Sequence, residues 1–427
     1  MKNLSHRFHK FSQLHLAVCI CVICGFVFQP VSASKIIVSS SGTSIKQAIA
    51  KANPGDSIII KPGTYREGNI ILEKPIIILG EGYPTLDGEN KFEILTVHTK
   101  GATIQGLRFI NTGIASINDI AAIKILESSY LKILQNKFEN AFFGIHASNS
   151  NHLWIEGNTL KSDAEAEHQI GNGIHLWKCE YITIHNNNVQ GHRDGIYFEF
   201  VTNSLVTQNH SERNMRYGLH FMFSHNDEYR NNEFVNNGAG VAVMYTKHVK
   251  MFDNRFIHNW GASAYGLLLK DIRDSEVRRN HFIENSVGIL MEGSSRITFQ
   301  QNEFNKNGYG IKLQASCDDN VFENNNFIAN TFDIATNGTL VLNTINKNFW
   351  DKYDGYDLKK DGIGDVPYRP VNMYSMIVER VPASVMLWRS FFVLLLDRAE
   401  KTLPAITPEN LKDNYPSIKP YDIVQKR

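Results

Sequence analysis

A glycine followed by an aliphatic residue recurs through the middle of this 427-residue chain. The pairs are Gly144-Ile145, Gly173-Ile174, Gly195-Ile196, Gly218-Leu219, Gly240-Val241, Gly266-Leu267, Gly288-Ile289 and Gly310-Ile311, spaced by 29, 22, 23, 22, 26, 22 and 22 residues. Fourteen residues after each glycine stands an asparagine: Asn158, Asn187, Asn209, Asn232, Asn254, Asn280, Asn302 and Asn324. Most of these lead within three residues to an apolar residue such as Leu160, Phe234, Phe256, Phe282, Phe304 or Phe327. A period near 22, with short alternating apolar stretches and Asn-rich turns, predicts a parallel β-helix of about three short strands per coil. Asn suits the corners because it tolerates left-handed backbone angles, and stacked Asn amides can bond from coil to coil. A leucine-rich repeat would need Leu-x-x-Leu-x-Leu phrasing, which is absent. No helical period separates the strands, which excludes TIM and Rossmann folds.

The flanks fit the same plan less regularly. Ser57–Ile60, Ile76–Leu79, Thr103–Phe109 and Ile123–Leu126 read as strands, and Ser44–Ala52 as a short amphipathic helix that covers the open first coil. Terminal coils need such a cover because their edges are unpaired. The ladder runs to about Phe349-Trp350, roughly a dozen coils, or ~55–60 Å at ~4.8 Å per coil. Two longer spacings throw out loops, 161–170 and 258–264, and loops on a rigid scaffold often carry function.

Lys2, Arg7 and Lys10, an apolar run from Leu14 to Phe28 and small residues at Val31-Ser32-Ala33 predict a cleaved secretory signal peptide over 1–33. The β-helix is expected over 34–351 and a C-terminal extension over 352–427. With 44 Lys+Arg against 43 Asp+Glu, the chain lacks the basic excess of a nucleic-acid binder. Beyond the apolar N-terminal stretch only Cys179 and Cys317 remain, so this is no disulfide scaffold. Six coils apart, the two are expected to be free thiols.

Registering the columns locates a candidate site. Offsets +1 and +3 from each repeat glycine are apolar and point inward; offsets +2 and +4 therefore point outward. The +2 column includes His146, His175, Tyr197 and His220; the +4 column includes Trp177, Glu199, Met222 and Met244. One outer face thus gathers His175, Glu199, His220, Met222 and Met244. Thioether sulfur and imidazole select soft or borderline metals, Cu(I) first. An exposed His/Met site of low coordination suits a carrier that hands its ion on. The alternative is that these side chains tile a sheet face or pack beneath a loop or partner.

Other constellations carry weaker signals. Gly191-His-Arg-Asp-Gly195 and Asn214-Met-Arg-Tyr-Gly218 occupy equivalent places in successive coils, so His192 stacks on Met215 and Arg193 on Arg216. A polysaccharide lyase or epimerase would use such an Arg against a uronate and a Tyr or His as base, but the Asp cluster that would hold Ca²⁺ is missing. The segment Asp351–Asp365 has the acidic spacing of a Ca²⁺ loop with Lys359 and Lys360 where ligands would stand; a coil-ending turn is the other reading. The tail from Met373 holds a strongly apolar stretch, Met386–Leu396, too short to span a bilayer. It suits a helix that docks on a membrane surface or membrane partner, or one that caps the rod.

The block Gly195-Ile-Tyr-Phe-Glu-Phe200, with Ser211–His225, Gly238–Tyr245, Trp260–Lys270 and Asp361-Gly-Ile-Gly-Asp365, resembles the NosD family of periplasmic accessory proteins for nitrous oxide reductase maturation. The resemblance spans nearly all of the chain after the signal peptide. It implies a right-handed β-helix of the carbohydrate-binding and sugar-hydrolase type, without catalysis. It further implies partnership with a membrane ABC transporter and a copper chaperone lipoprotein, and transient Cu(I) delivered toward the reductase's copper–sulfide centre. The rival expectations are a lyase or epimerase, and a sugar-binding surface protein without metal.

Overall fold

The computed structural model describes residues 33–114, 119–338, 342–402 and 411–423. The expected signal peptide lies outside them but for its last residue. From Lys35 onward the chain winds as a right-handed parallel β-helix of about thirteen coils, whose three sheets hold 14, 12 and 13 strands. Each strand pairs with its counterpart one coil on; Tyr217–Met222, for example, aligns Leu219 with Val241 and Met222 with Met244.

The repeat glycines belong to the 12-stranded sheet, and close approach explains them. A Cβ on Gly218 would sit 2.8 Å from the carbonyl oxygen of Gly240, and one on Gly173 would sit 2.7 Å from that of Gly195. Only hydrogen fits where each coil's backbone presses on the next. The residues that follow fill the core: Ile174, Leu176, Ile196, Phe198, Leu219, Phe221, Val241 and Val243 are fully buried. A second column stacks Phe234, Phe256, Phe282, Phe304 and Phe327 on Trp350, with centroids 4.2–5.5 Å apart.

The asparagines form a buried ladder. In each rung the side-chain oxygen accepts from the backbone N–H and the Nδ2 of the preceding coil's Asn, while its own Nδ2 donates onward. At Asn232 these bonds are 2.9, 3.0 and 3.0 Å. Ladder and corner are separate jobs. The left-handed residue is the one before each rung, as at Asn186, Gln208, Asn231, Asp253, Arg279 and Gln301, with φ of 52–58°. The last rung expected from the count also shifts by one. Ile289 pairs with Ile311, 22 residues on, but Thr298 pairs with Val321, 23 on. The turn after Leu313 holds one extra residue, so Asn324 takes the left-handed corner and Asn325 the rung.

Both ends are covered. The helix Ile45–Lys51 is closed by a reciprocal Ser44–Gln47 cap and buries Ile45, Ala48 and Ile49 on the first coils. At the far end the tail returns to place Asp413 beneath the Asn ladder. Its carboxylate accepts from the backbone N–H groups of Lys347 and Asn348 and from Trp350 Nε1. Tail helices Met373–Arg380 and Phe391–Thr402 pack Tyr374, Val378 and Val393 on Phe332 of the last strand in the 12-stranded sheet. Part of the second helix's apolar surface stays bare: Phe391 is 75% exposed and Leu394 59%. Among the described residues no helix is long and apolar enough to cross a membrane.

Candidate metal site

The outer columns of the 12-stranded sheet are in register. Trp177, Glu199, Met222 and Met244 stand on consecutive strands, as do His146, His175, Tyr197 and His220. Met222 and Met244 are therefore direct neighbours, about 5 Å apart in backbone. Tyr197 joins the two columns: its hydroxyl lies 3.3 Å from Glu199 Oε2 and 3.5 Å from Met222 Sδ. Burial first, and then the Glu199 charge, push this phenol well above its ordinary value, so it stays a donor.

The structure corrects the expectation that this face is open. His146 is only 6% exposed and His220 5%. Tyr217 lies against the His220 ring at 4.7 Å, and its hydroxyl meets that of Tyr265 at 3.4 Å. Tyr265 arrives on the coil lengthened by the 258–264 loop. The +2 column is thus outside the core yet covered.

The five expected ligands also divide. His220, Met222, Met244 and Glu199 occupy three adjacent strands. His175 is separated from His220 by Tyr197, whose ring lies 4.7 Å from one and 5.0 Å from the other. His175 instead stacks on His146 at 4.7 Å and accepts a hydrogen bond from Asn172 at Nδ1, 3.1 Å. Burial pushes His146 down to about 4 and His175 down to about 3, so both are neutral imidazoles at neutral pH. Among the described residues no three His, Cys, Asp or Glu side chains gather closely enough to hold an ion. A metal here would need the thioethers.

The rim is aromatic. Phe200, Phe223 and Tyr245, each next in sequence to a +4 residue, stack at 5.1–5.2 Å while remaining 38–43% exposed. All three sit in the left-handed region, with φ of 50–55°, which turns them out beside Glu199, Met222 and Met244. Such exposed stacked rings are typical of surfaces that meet other proteins.

The features that suggested carbohydrate chemistry are tied up. His192 is wholly enclosed, with neither ring nitrogen bonded, and burial pushes it down to about 4. Arg216 grips Asp194 at both oxygens, 3.0 and 2.7 Å, and Arg193 turns to Asn172. The backbones of 192–193 and 215–216 do pair as registered, but the side chains diverge. In the Asp351–Asp365 turn, Asp357, Asp361 and Asp365 accept backbone N–H groups of the turn itself. Cys179 and Cys317 are buried free thiols, and burial pushes Cys179 up to about 11. A cavity of about 790 Å³ lies between the last coil and the tail, where Lys352 meets the buried Asp333 at 3.2 Å. It is six strands from Tyr197, about 29 Å along the rod, and shares nothing with the sulfurs.

Sequence reading missed Tyr197, Tyr217, Tyr265 and Asp194. The column arithmetic places Tyr197 between His175 and His220 and two residues from Glu199, so its contacts were open to it. The Tyr265–Tyr217 contact was not, because an insertion breaks the period.

Comparison with known proteins follows the same block. Residues 158–356 match the family model described as periplasmic copper-binding protein (NosD). The probable ABC transporter binding protein NosD of Stutzerimonas stutzeri is 24% identical, over 84% of this chain and 86% of its own. That of Pseudomonas aeruginosa is 26% identical, over 87% and 92%. Among solved structures, the family 28 exopolygalacturonase of Yersinia enterocolitica aligns with TM-score 0.61 at 10% identity, over 74% of this chain and 78% of that one. PfbA, a surface adhesin of Streptococcus pneumoniae, aligns with TM-score 0.58 at 15%, over 71% and 93%. At those identities the likeness is one of fold.

Proposed function

Because this chain belongs to the NosD family, we propose that it is a non-catalytic periplasmic carrier that takes up Cu(I) and passes it on during nitrous oxide reductase maturation. Copper is cargo here, delivered by a copper chaperone lipoprotein and released at a membrane ABC transporter for assembly of the copper–sulfide centre. The observation that carries the reading is the pairing of Met222 with Met244 on adjacent strands, with Tyr197 against the first sulfur and the unbonded Nε2 of His220 two residues away. Two thioethers and an imidazole make a soft donor set for Cu(I). A set with so few strong ligands binds loosely enough to hand its ion on. Glu199, and more remotely His175, complete the polar surround.

Two further features support the relay. The stacked rim of Phe200, Phe223 and Tyr245 offers a chaperone a docking surface beside the sulfurs. The exposed apolar side chains of Phe391–Thr402, at the C-terminal end of the rod, suit the transporter or the membrane surface around it. A lyase or epimerase is disfavoured because Arg216 is committed to Asp194 and His192 is enclosed.

The test is anaerobic Cu(I) titration of the chain against a chromophoric Cu(I) chelator. Replacing Met222 and Met244 together by Leu should abolish Cu(I) retention while circular dichroism and melting stay as in the wild type. Unchanged Cu(I) binding by the folded double variant would refute the site.

A further inference from the structure

Asp194 is a carboxylate with no solvent exposure, in a place where the copper reading assigns it no role. Arg216, one coil on, holds both of its oxygens at 3.0 and 2.7 Å. The same Oδ2 lies 3.5 Å from Nδ1 of His220. The carboxylate therefore presents a lasting acceptor to one nitrogen of a ring that is itself 5% exposed.

A neutral imidazole carries one N–H and one lone pair, and the partner of one nitrogen decides the state of the other. An anion facing Nδ1 draws the proton there, so the lone pair stands on Nε2. Both ring nitrogens are enclosed without a close hydrogen bond, but Nδ1 has the carboxylate 3.5 Å away to take its proton. The ring cannot turn freely: Tyr197 meets it edge-on at 5.0 Å, 78° between planes, and Tyr217 lies at 4.7 Å on another side. A buried imidazole nitrogen left unbonded is costly unless something binds it.

We propose that Asp194, gripped by Arg216, is a positioning residue that fixes His220 with its proton on Nδ1 and leaves Nε2 as the imidazole donor to a soft ion beside Met222. This rests on the copper reading above. The arrangement is a carboxylate–histidine–metal unit, in which loss of the carboxylate costs about 10–100-fold in metal affinity. Arg216 keeps the buried carboxylate compensated in the ion-free protein, so the site stays ordered between loading and release.

The experiment joins two readouts on the whole chain. Long-range ¹H–¹⁵N spectra of protein labelled at histidine report which ring nitrogen carries hydrogen, and the His220→Gln variant identifies the His220 signals. The wild type should show Nδ1–H. Asp194→Asn, which keeps one oxygen for Arg216, should move the proton to Nε2 and weaken Cu(I) retention about 10–100-fold with the fold intact. A wild-type His220 found as Nε2–H overturns the proposal at once, and it does so even if Asp194→Asn fails to fold. An Asp194→Asn protein with the wild-type tautomer and wild-type Cu(I) affinity also overturns it. Failure of the copper reading looks different: the Met222→Leu/Met244→Leu protein would bind Cu(I) normally while His220 kept its Nδ1–H signature.

Discussion

Replacing Asn232 by Ala tests the column that holds the sulfurs in register, because this rung sits in the coil between Met222 and Met244. Its Oδ1 accepts from Asn209 N and Nδ2, and its Nδ2 donates to the Val206 carbonyl at 2.9 Å and to Asn254 Oδ1 at 3.0 Å. Truncation does not orphan all four. Asn209 Nδ2 keeps the carbonyls of Ile184 and Thr207, and Asn254 Oδ1 keeps the backbone N–H of residue 232. The Asn209 backbone N–H loses its acceptor in a site closed to water. An unsatisfied buried donor costs ~1–3 kcal/mol, and the lost bond to Val206 adds ~1 kcal/mol, so Asn232→Ala should destabilise by roughly 2–4 kcal/mol. Asn231→Ala is the control. That side chain is half-buried at φ 55°, and forcing Ala into the left-handed region costs about 1 kcal/mol. Urea unfolding followed by circular dichroism measures both, and hydrogen exchange should place the Asn232→Ala loss in the neighbouring coils, as expected of a solenoid. Equal costs for the two variants, or an Asn232→Ala cost under ~1 kcal/mol, would refute the ladder as a source of stability.

Acid should weaken the fold through its enclosed histidine. His192 is pushed down to about 4 when folded, against 6.5 when unfolded, so only the unfolded chain takes up its proton between those values. The stability tied to the neutral ring is complete above pH 6.5 and is lost as pH falls toward 4, by about 3 kcal/mol; His192→Gln should remove that share of the slope in the urea-midpoint profile over that window and leave the shares of His146 and His175. The tail makes a different prediction. Replacing Phe391, Phe392 and Leu395 by Ser should abolish co-purification with the membrane-embedded transporter while leaving Cu(I) titration and melting unchanged; unimpaired co-purification would exclude this face as the docking surface.

Much of this architecture is legible in residue order because a coil turns sequence distance into spatial stacking. The glycine column can be counted directly, since its cause, backbone pressed on backbone, recurs every turn. The pairing of Met222 with Met244 follows from the same count. The count fails where the period fails. One extra residue after Leu313 shifts the rung from Asn324 to Asn325. Asn was also credited with the corner, although the residue before it turns the chain, because adjacent positions repeat with equal regularity. Site chemistry was less legible than site placement. Alternation distinguishes core from outside, but it cannot say that Tyr265 meets Tyr217 beside His220 or that Arg216 reaches back to Asp194. Those contacts come from insertions and from long side chains crossing between coils, and neither obeys a period.

The amide-to-amide bonds of the asparagine column all run toward the C-terminal end, so the stack is polar and its final donors must meet an acceptor. Asp413 supplies the accepting oxygen there. A rod terminated this way can lengthen or shorten only by whole windings. Any such change would carry the Met222–Met244 face along the axis relative to the apolar tail, and the number of windings therefore sets the distance between the two.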